Sequence, residues 1–272
     1  MKICFSTLGC PEWTWDRILQ QANLLGYDGI ELRGIEGEMY LPKARPFRRE
    51  NKSATIAQLE DLQVQISCLG TSASFHDPDQ WQTNLDMARE HIDLAAELQV
   101  SFVRVFGDRI PEPANRGQVI SQIVSALQRL GEYTSGSGVC IVIETHGDFS
   151  RSSDLKLILD EVPMPEIGVL WDMHHPYRFF EESPEETMNI IGDRIYHTHI
   201  KDSQMKDGTM HYCLVGEGDL PIEECLSLLL KTGYSGWVSL EWEKKWHPEL
   251  AEPEVDFPHF LRVIKGIIQK IV

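Results

Sequence analysis

Residues 194–202 read Arg-Ile-Tyr-His-Thr-His-Ile-Lys-Asp, a pattern that predicts a short buried strand ending in a charged pair. Side chains alternate between the two faces of a strand, so His197 and His199 point to the same face. Two imidazoles on one face can be satisfied core residues. Followed by Lys201 and Asp202, they also indicate a metal or substrate site at the end of the strand.

The rest of the chain alternates between predicted strands and predicted helices. Seven other apolar runs predict strands, at residues 3–8, 27–32, 64–69, 102–106, 139–144, 167–172 and 236–241. Helical spacing of apolar residues covers 15–25, 53–62, 80–98, 119–130, 153–160, 184–191, 222–231 and 257–271. Near-continuous apolar strands separated by helices are typical of a parallel sheet covered on the outside. The pattern predicts an α/β protein, a single (β/α)8 TIM barrel domain over residues 1–272.

A doubly wound open sheet is the competing architecture. It is disfavoured because no Gly-x-Gly-x-x-Gly follows the first predicted strand, where a dinucleotide-binding sheet would carry it. The Gly216-Glu-Gly218 segment follows the seventh strand and lacks the third glycine.

Composition narrows the class of protein. The formal net charge is −17, which argues against a nucleic-acid partner because such proteins neutralise phosphates with Lys and Arg. The sequence has no apolar run of about 18 residues, so we expect no membrane span. It starts directly with a strand and without the apolar stretch of a signal peptide, which predicts a cytoplasmic protein. The six cysteines form no Cys-x-x-Cys pair, so neither a disulfide framework nor a zinc ribbon is expected.

Four polar residues end four consecutive predicted strands. In a barrel of this kind the active site lies at the carboxyl ends of the strands. The last inward-facing residues of the fifth to eighth strands are Glu144, Asp172, His199 and Glu241. Three converging carboxylates would repel each other, and a divalent cation removes that conflict. Three carboxylates and one imidazole favour Mn²⁺, Mg²⁺ or Co²⁺, and Zn²⁺ also fits.

Further polar residues are candidates for substrate binding. His146 and His175 are expected in loops above the strand ends, where an imidazole can donate to a substrate oxygen or be an ordinary surface residue. Lys201 can polarise a substrate oxygen or form a salt bridge with Asp202. His76 and Arg104, from the third and fourth strands, either face the same cavity or serve the structure.

At these residues the chain resembles the xylose isomerase-like barrel superfamily of sugar phosphate isomerases and epimerases. The motifs that carry the resemblance are Ile143-Glu144, Trp171-Asp-Met-His-His175, His197-x-His199-x-Lys-Asp202, Gly216-Glu-Gly218, and Trp237-Val-Ser-Leu-Glu241 with the block to Glu249. The resemblance covers essentially the whole chain. It implies that Glu144, Asp172, His199 and Glu241 hold one divalent cation and that His175 contacts substrate.

The resemblance to the ketose 3-epimerase branch is incomplete. That branch has a Glu six residues after its first ligand and an Arg six residues after its ligand histidine. Here these positions are Ser150 and Met205, which puts the particular substrates of that branch in doubt. The His-x-Lys-Asp pattern also resembles the inosose dehydratase branch.

We therefore expect a metal-dependent isomerase or epimerase of carbohydrate metabolism. Its small-molecule substrate would be a ketose or related polyol, and the protein could form a homo-oligomer. Glu144 and Glu241 would transfer protons through a cis-enediolate from opposite faces, which gives epimerisation. Aldose–ketose isomerisation follows if one Glu serves both carbons, and an inosose dehydratase-like elimination if the enolate expels a hydroxyl. Less favoured alternatives are an endonuclease IV-like nuclease and a non-catalytic sugar-binding protein.

Overall fold

Eight strands of the chain close into a parallel barrel in the computed structural model, which describes every residue from Met1 to Val272. The barrel strands are β1 (Lys2–Ser6), β2 (Gly29–Leu32), β3 (Gln65–Ser74), β4 (Phe102–Phe106), β5 (Cys140–Glu144), β6 (Ile167–Asp172), β7 (Ile195–Ile200) and β10 (Trp237–Leu240). Their order is β1-β10-β7-β6-β5-β4-β3-β2. Two further strands, β8 (Asp202–Lys206) and β9 (Thr209–Cys213), pair as an antiparallel hairpin.

Helices follow the barrel strands. They are α1 (Trp15–Leu25), α2 (Lys52–Leu62), α3 (Trp81–Glu97), α4 (Arg116–Thr134), α5 (Ser152–Glu161), α6 (His174–Phe180), α7 (Pro184–Ile191), α8 (Ile222–Lys231) and α9 (Pro253–Ile271). Local sequence explains several boundaries. Helix α7 begins at a capping box formed by Ser183 and Glu186, and α1 ends at Gly26 in the left-handed conformation, with φ of 81°. No helix is both long enough and apolar enough to cross a membrane.

The chain divides into two compact units. The central unit is Cys68–His197 and the terminal unit combines Met1–Ser67 with Thr198–Val272. In the central unit, β4 pairs in parallel with β5 and β5 with β6. Cys68, Val142 and Leu170 form one fully buried cluster. Because side chains two apart on a strand share a face, Glu144 and Asp172 lie on the faces that Val142 and Leu170 occupy.

In the terminal unit, β1 pairs with β10 on one side and with β2 on the other. Phe5 of β1 stacks on Phe257 of α9 with ring centres 4.2 Å apart, and Tyr27 packs edge-on against Phe5. Aromatic pairs of this kind contribute about 0.5–1.5 kcal/mol beyond the area that they bury. These contacts fix the first strand against the last helix of the chain.

The predicted (β/α)8 barrel is confirmed, and most elements fall within a few residues of their predicted bounds. The strands at 102–106 and 167–172 agree residue for residue. Two features were not predicted: helix α6, and the hairpin that follows β7. The extent of the domain, residues 1–272, stays a prediction. All six cysteines are free, as expected.

Candidate functional site

In the central unit, Glu144 is the last residue of β5 and pairs with an arginine of the neighbouring strand. Its Oε2 lies 3.3 Å from Nε of Arg104, and each side chain is only 1% exposed. The Arg104 guanidinium also lies over the Phe106 ring, 3.9 Å from its centre. Removing one member of a buried ion pair costs about 3–5 kcal/mol, since it leaves a charge uncompensated. Arg104, predicted to bind substrate, therefore already serves to neutralise and position Glu144.

Asp172 ends β6 and is tied to the end of β5 by Thr145. The Thr145 hydroxyl donates to the carbonyl oxygen of Asp172 at 3.1 Å and accepts from the Asp172 N–H at 2.9 Å. The Asp172 side chain is fully buried, and its Oδ1 accepts a 2.8 Å hydrogen bond from the N–H of His174. Since Thr145 directly follows Glu144, these bonds hold the two acidic strand ends in a fixed register.

His175 lies in helix α6 and is buried, so its expected position in a loop is wrong. The carboxylate of Asp172 accepts the N–H of His174 and thereby begins the turn from which the helix continues. Nδ1 of His175 lies 2.9 Å from the carbonyl oxygen of Thr145 and 3.6 Å from Oδ2 of Asp172. A carbonyl oxygen only accepts, so Nδ1 carries a proton and the ring is held beside Asp172.

His146 and His76 flank Asp108, a residue that the sequence did not single out. Nδ1 of His146 lies 3.6 Å from Oδ1 of Asp108, and Nδ1 of His76 lies 3.7 Å from Oδ2. The neighbouring His146 imidazole, followed by that of His76, holds the pKa of Asp108 below its ordinary value. The structure thus brings together two of the histidines predicted to bind substrate, with a carboxylate between them.

Asp108 adopts the left-handed conformation, with φ of 69°. Its carbonyl oxygen accepts from the N–H of Asp148 at 2.8 Å, and a Cβ placed on Gly147 would lie only 2.4 Å from that oxygen. Glycine at 147 therefore allows the loop after β5 to approach the loop after β4. Strained backbone of this kind persists where the surroundings over-determine it, and it is frequent at functional sites.

In the terminal unit, His199 of β7 contacts two buried carboxylates. Its Nε2 lies 2.8 and 3.0 Å from the two oxygens of Glu31 in β2, and its Nδ1 lies 3.3 Å from Oε1 of Glu241. His199 and Glu31 are fully buried, and Glu241 is 6% exposed. The structure therefore places two predicted metal ligands, His199 and Glu241, with their ligand atoms side by side.

Lys201 is buried between two carboxylates that follow β10. Its Nζ lies 2.5 Å from Oε2 of Glu241 and 2.7 Å from Oε1 of Glu243. Burial by itself would raise the pKa of Glu241, but the charges of His199 and Lys201 and their hydrogen bonds hold it well below its ordinary value. The structure thus gives Lys201 two carboxylate partners beside the strand end, whereas the sequence offered Asp202 as its partner.

Asp202 organises the loop that contains Gly216-Glu-Gly218. Its carboxylate accepts hydrogen bonds from the N–H groups of Ser203, Gly216 and Gly218 at 2.8–3.0 Å. A Cβ on Gly218 would lie 2.0 Å from Oδ1 of Asp202, so only glycine fits there. Burial raises the pKa of Asp202 even though these N–H donors oppose the shift. The N–H groups of Gly216 and Gly218 thus bind the loop to the Asp202 carboxylate.

His197, the other histidine of β7, is fully buried and contacts the Phe102 ring edge-on, with ring centres 6.0 Å apart. Three residues that contact the predicted site residues were not predicted from the sequence: Glu31, Asp108 and Glu243. Each carried a signal. Glu31 is a carboxylate inside an apolar strand, Asp108 lies two residues after β4, and Glu243 lies two residues after Glu241.

Comparison with known proteins gives a consistent assignment. Residues 19–264 match the family described as xylose isomerase-like TIM barrel. Fructoselysine 3-epimerase of Shigella flexneri is 24% identical over 257 residues, covering 89% of this chain and 90% of the relative. 3-Dehydroshikimate dehydratase of Pseudomonas putida is 25% identical over 227 residues, covering 79% of this chain and 34% of the relative. A solved structure of the IOLI protein with a bound zinc atom has a TM-score of 0.83 at 18% identity, covering 100% of this chain and 99% of that one.

Proposed function

Because this chain belongs to the xylose isomerase-like TIM barrel family, we propose that it is a divalent-metal-dependent sugar isomerase or epimerase. The reaction would move a proton on the carbon next to the carbonyl of a ketose or related polyol. The relatives described above are an epimerase and a dehydratase, and both names describe enzymes. Because these relatives are only 24% and 25% identical to this chain, their substrates do not identify the substrate of this protein.

The proposal rests on three acids and one imidazole, Glu144, Asp172, His199 and Glu241, each of them buried and at or beside the end of a barrel strand. Glu144 and Asp172 end β5 and β6, His199 is the penultimate residue of β7, and Glu241 directly follows β10. These four strands are consecutive in the barrel order. We assign all four as ligands of one cation. The oxygen-rich donor set fits Mn²⁺, Mg²⁺ or Co²⁺, and Zn²⁺ also fits. The zinc atom of the structurally similar IOLI protein supports a metal role for this fold.

The charges around these acids agree with a cation site. Arg104 faces Glu144 and Lys201 faces Glu241, and a divalent cation would further offset the repulsion among three converging carboxylates. When bound, a divalent cation supplies a Lewis acid at the carbonyl and hydroxyl oxygens of the substrate.

Glu144 and Glu241 are the proposed proton-transfer groups. Their strands are separated in the barrel order by β6 and β7, which allows one carboxylate on each face of a substrate. Arg104 fixes Glu144, and Lys201 fixes one oxygen of Glu241 while the other faces His199. One carboxylate takes the proton and the other returns it, which gives epimerisation. If one of them serves both carbons, the product is the aldose–ketose isomer.

The remaining assignments accompany this proposal. His175, His146, Lys201, His76 and Arg104 are proposed to bind or orient the substrate. The cytoplasmic location, the homo-oligomeric state and the absence of a nucleic-acid or membrane partner stay predictions from the sequence.

A dehydratase is the second candidate function. It is favoured by the match to 3-dehydroshikimate dehydratase and by the residues at the two epimerase-branch positions. Ser150 is buried and its hydroxyl donates to the carbonyl of Gly147 at 2.9 Å, and Met205 is a 48% exposed residue of the hairpin. Neither supplies the charged group of the ketose 3-epimerase branch. An elimination would begin with the same proton abstraction and end with loss of a hydroxyl group.

Incubation of the protein with a panel of ketoses and cyclic polyol ketones in D₂O tests the proposal. An epimerase or isomerase places deuterium on the carbon next to the carbonyl and yields a sugar isomer of unchanged composition. A dehydratase yields a product lighter by one water. Glu144→Gln and Glu241→Gln should each lower the rate of deuterium exchange by about 10²–10⁴-fold while the substrate still binds. Metal-loaded protein that catalyses neither exchange nor water loss across the panel would contradict the proposal.

A further inference from the structure

The buried contact between Glu31 and His199 joins strands that are not neighbours. In the barrel order β2 and β7 are separated by β1 and β10, so no ladder hydrogen bond brings these residues together. Both side chains are fully buried, yet Nε2 of His199 lies 2.8 Å from Oε1 and 3.0 Å from Oε2 of Glu31. Burying a carboxylate costs several kcal/mol unless a specific partner compensates. Here the imidazole is that partner.

The contact determines which nitrogen of His199 carries a proton. A carboxylate only accepts hydrogen bonds, so the nitrogen that faces it, Nε2, is the donor. When a cation takes the place of the second proton of His199, the lone pair that binds it is on Nδ1, the nitrogen that lies 3.3 Å from Oε1 of Glu241. The carboxylate of Glu31 therefore directs the metal-ligating nitrogen of His199 toward Glu241.

Because His199 binds the cation through Nδ1, Glu31 is not itself a ligand of that cation. The two nitrogens of an imidazole point away from each other, so a cation on Nδ1 lies on the side of the ring away from the Glu31 carboxylate at Nε2. Nε2 and Oε1 of the pair are 2.8 Å apart, which is an ordinary direct hydrogen bond. Glu31 thus acts through His199.

We propose that Glu31 is a positioning residue of the metal site: it selects the Nε2-protonated form of His199 and fixes the ring so that Nδ1 binds the cation. The role rests on the proposed metal-dependent function. Carboxylates that orient metal-ligating histidines in this way typically contribute 10–100-fold in metal affinity.

Titration with Co²⁺ alone, followed by visible absorption, tests this role without relying on turnover. The variant Glu31→Gln keeps the size of the side chain but can also present an NH₂ group to Nε2, so the tautomer is no longer fixed. We expect its affinity for Co²⁺ to fall 10–100-fold. Glu31→Asp keeps the charge and should recover part of the affinity. Glu223→Gln is the matched control, because it removes the charge from an exposed pair with Lys270 in the same unit.

Long-range ¹⁵N–¹H spectra of the metal-free wild type provide a second measurement that needs no variant. They should show His199 protonated at Nε2, and protonation at Nδ1 alone would overturn the proposal even if Glu31→Gln fails to fold. Folded Glu31→Gln that binds Co²⁺ as tightly as wild type would also overturn it while leaving the proposed function intact. Wild-type protein that binds no Co²⁺ would instead overturn the proposed function, and the role of Glu31 with it.

Discussion

The ammonium group of Lys201 lies 2.5 Å from Oε2 of Glu241, with the lysine side chain 1% exposed. A lysine so deeply buried is stable only when carboxylates compensate its charge, and a second one, Glu243, lies 2.7 Å away. One oxygen of Glu241 is thereby held by Lys201 and the other faces His199. This arrangement fixes the carboxylate that the proposed reaction uses.

Replacing Lys201 should impair both activity and stability. In Lys201→Met the two carboxylates lose their shared cation, and we expect proton exchange to fall by about 10²–10³-fold, as when one preorganised donor is removed. The free energy of unfolding should drop by about 3–5 kcal/mol, because buried charges are left unpaired. Deuterium exchange and denaturant unfolding measure the two effects. Lys156→Met is the control, since that lysine forms an exposed pair with Asp160. Wild-type exchange in Lys201→Met would show that Lys201 does not support catalysis.

A methyl group at Gly218 should disturb the loop that Asp202 holds. The Cβ of Gly218→Ala would meet Oδ1 of Asp202 at 2.0 Å and the carbonyl oxygen of Ser203 at 2.4 Å, both firmly placed atoms. We expect destabilisation of about 1–3 kcal/mol, the usual cost of overpacking. The control is Gly266→Ala in α9, where a Cβ meets nothing within 4 Å and helix propensity predicts a gain of about 0.5–1 kcal/mol. Denaturant unfolding measures the stability of both variants. Equal free energies of unfolding for Gly218→Ala and Gly266→Ala would contradict the tight fit at Gly218.

Asp256 predicts a pH dependence of stability. This residue of α9 is fully buried, neither carboxylate oxygen has a hydrogen-bond partner, and burial raises its pKa from 3.8 to about 7. Between these values the folded state keeps a proton that the unfolded state loses, so stability falls as pH rises from about 4 to 7 and stays lower above that.

Asp256→Asn removes this dependence. We expect the free energy of unfolding of the variant, relative to that of wild type, to be higher at pH 8 than at pH 5. Denaturant unfolding at both pH values measures this difference. Asp160→Asn, at an exposed position, should show no such change. A stability difference between Asp256→Asn and wild type that is the same at both pH values would contradict the raised pKa.

Local patterns were sufficient to predict the barrel. Strand β6 and helix α8 agree with their predicted bounds because each has uniform apolar periodicity and clear end signals. Helix α6 was missed because it starts from a side-chain contact, the bond from the His174 N–H to Asp172, and the sequence around it has little apolar periodicity. The hairpin of β8 and β9 was missed because its strands are polar. Its Asp207-Gly208 turn was the available signal.

The site was predicted only as far as single strands allow. Strand parity selected Glu144 and Asp172, and the shared burial of Val142 and Leu170 supports that choice. Glu31 could not be related to His199 from the sequence, because the two are 168 residues apart and their strands are not neighbours. The partners of Lys201 were missed for a similar reason. A buried lysine pairs with the carboxylates that the fold brings to it, and these include Glu241 and Glu243, which are distant from it in the sequence.

The dependence of proton exchange on a divalent metal tests the central claim most directly. The protein is treated with a chelator and dialysed, and deuterium incorporation from D₂O into an active ketose is measured before and after adding Mn²⁺, Mg²⁺, Co²⁺ or Zn²⁺. We predict that exchange is lost on metal removal and restored by about one equivalent of at least one of these ions per chain. Exchange that continues unchanged in protein shown to be free of metal would contradict the account.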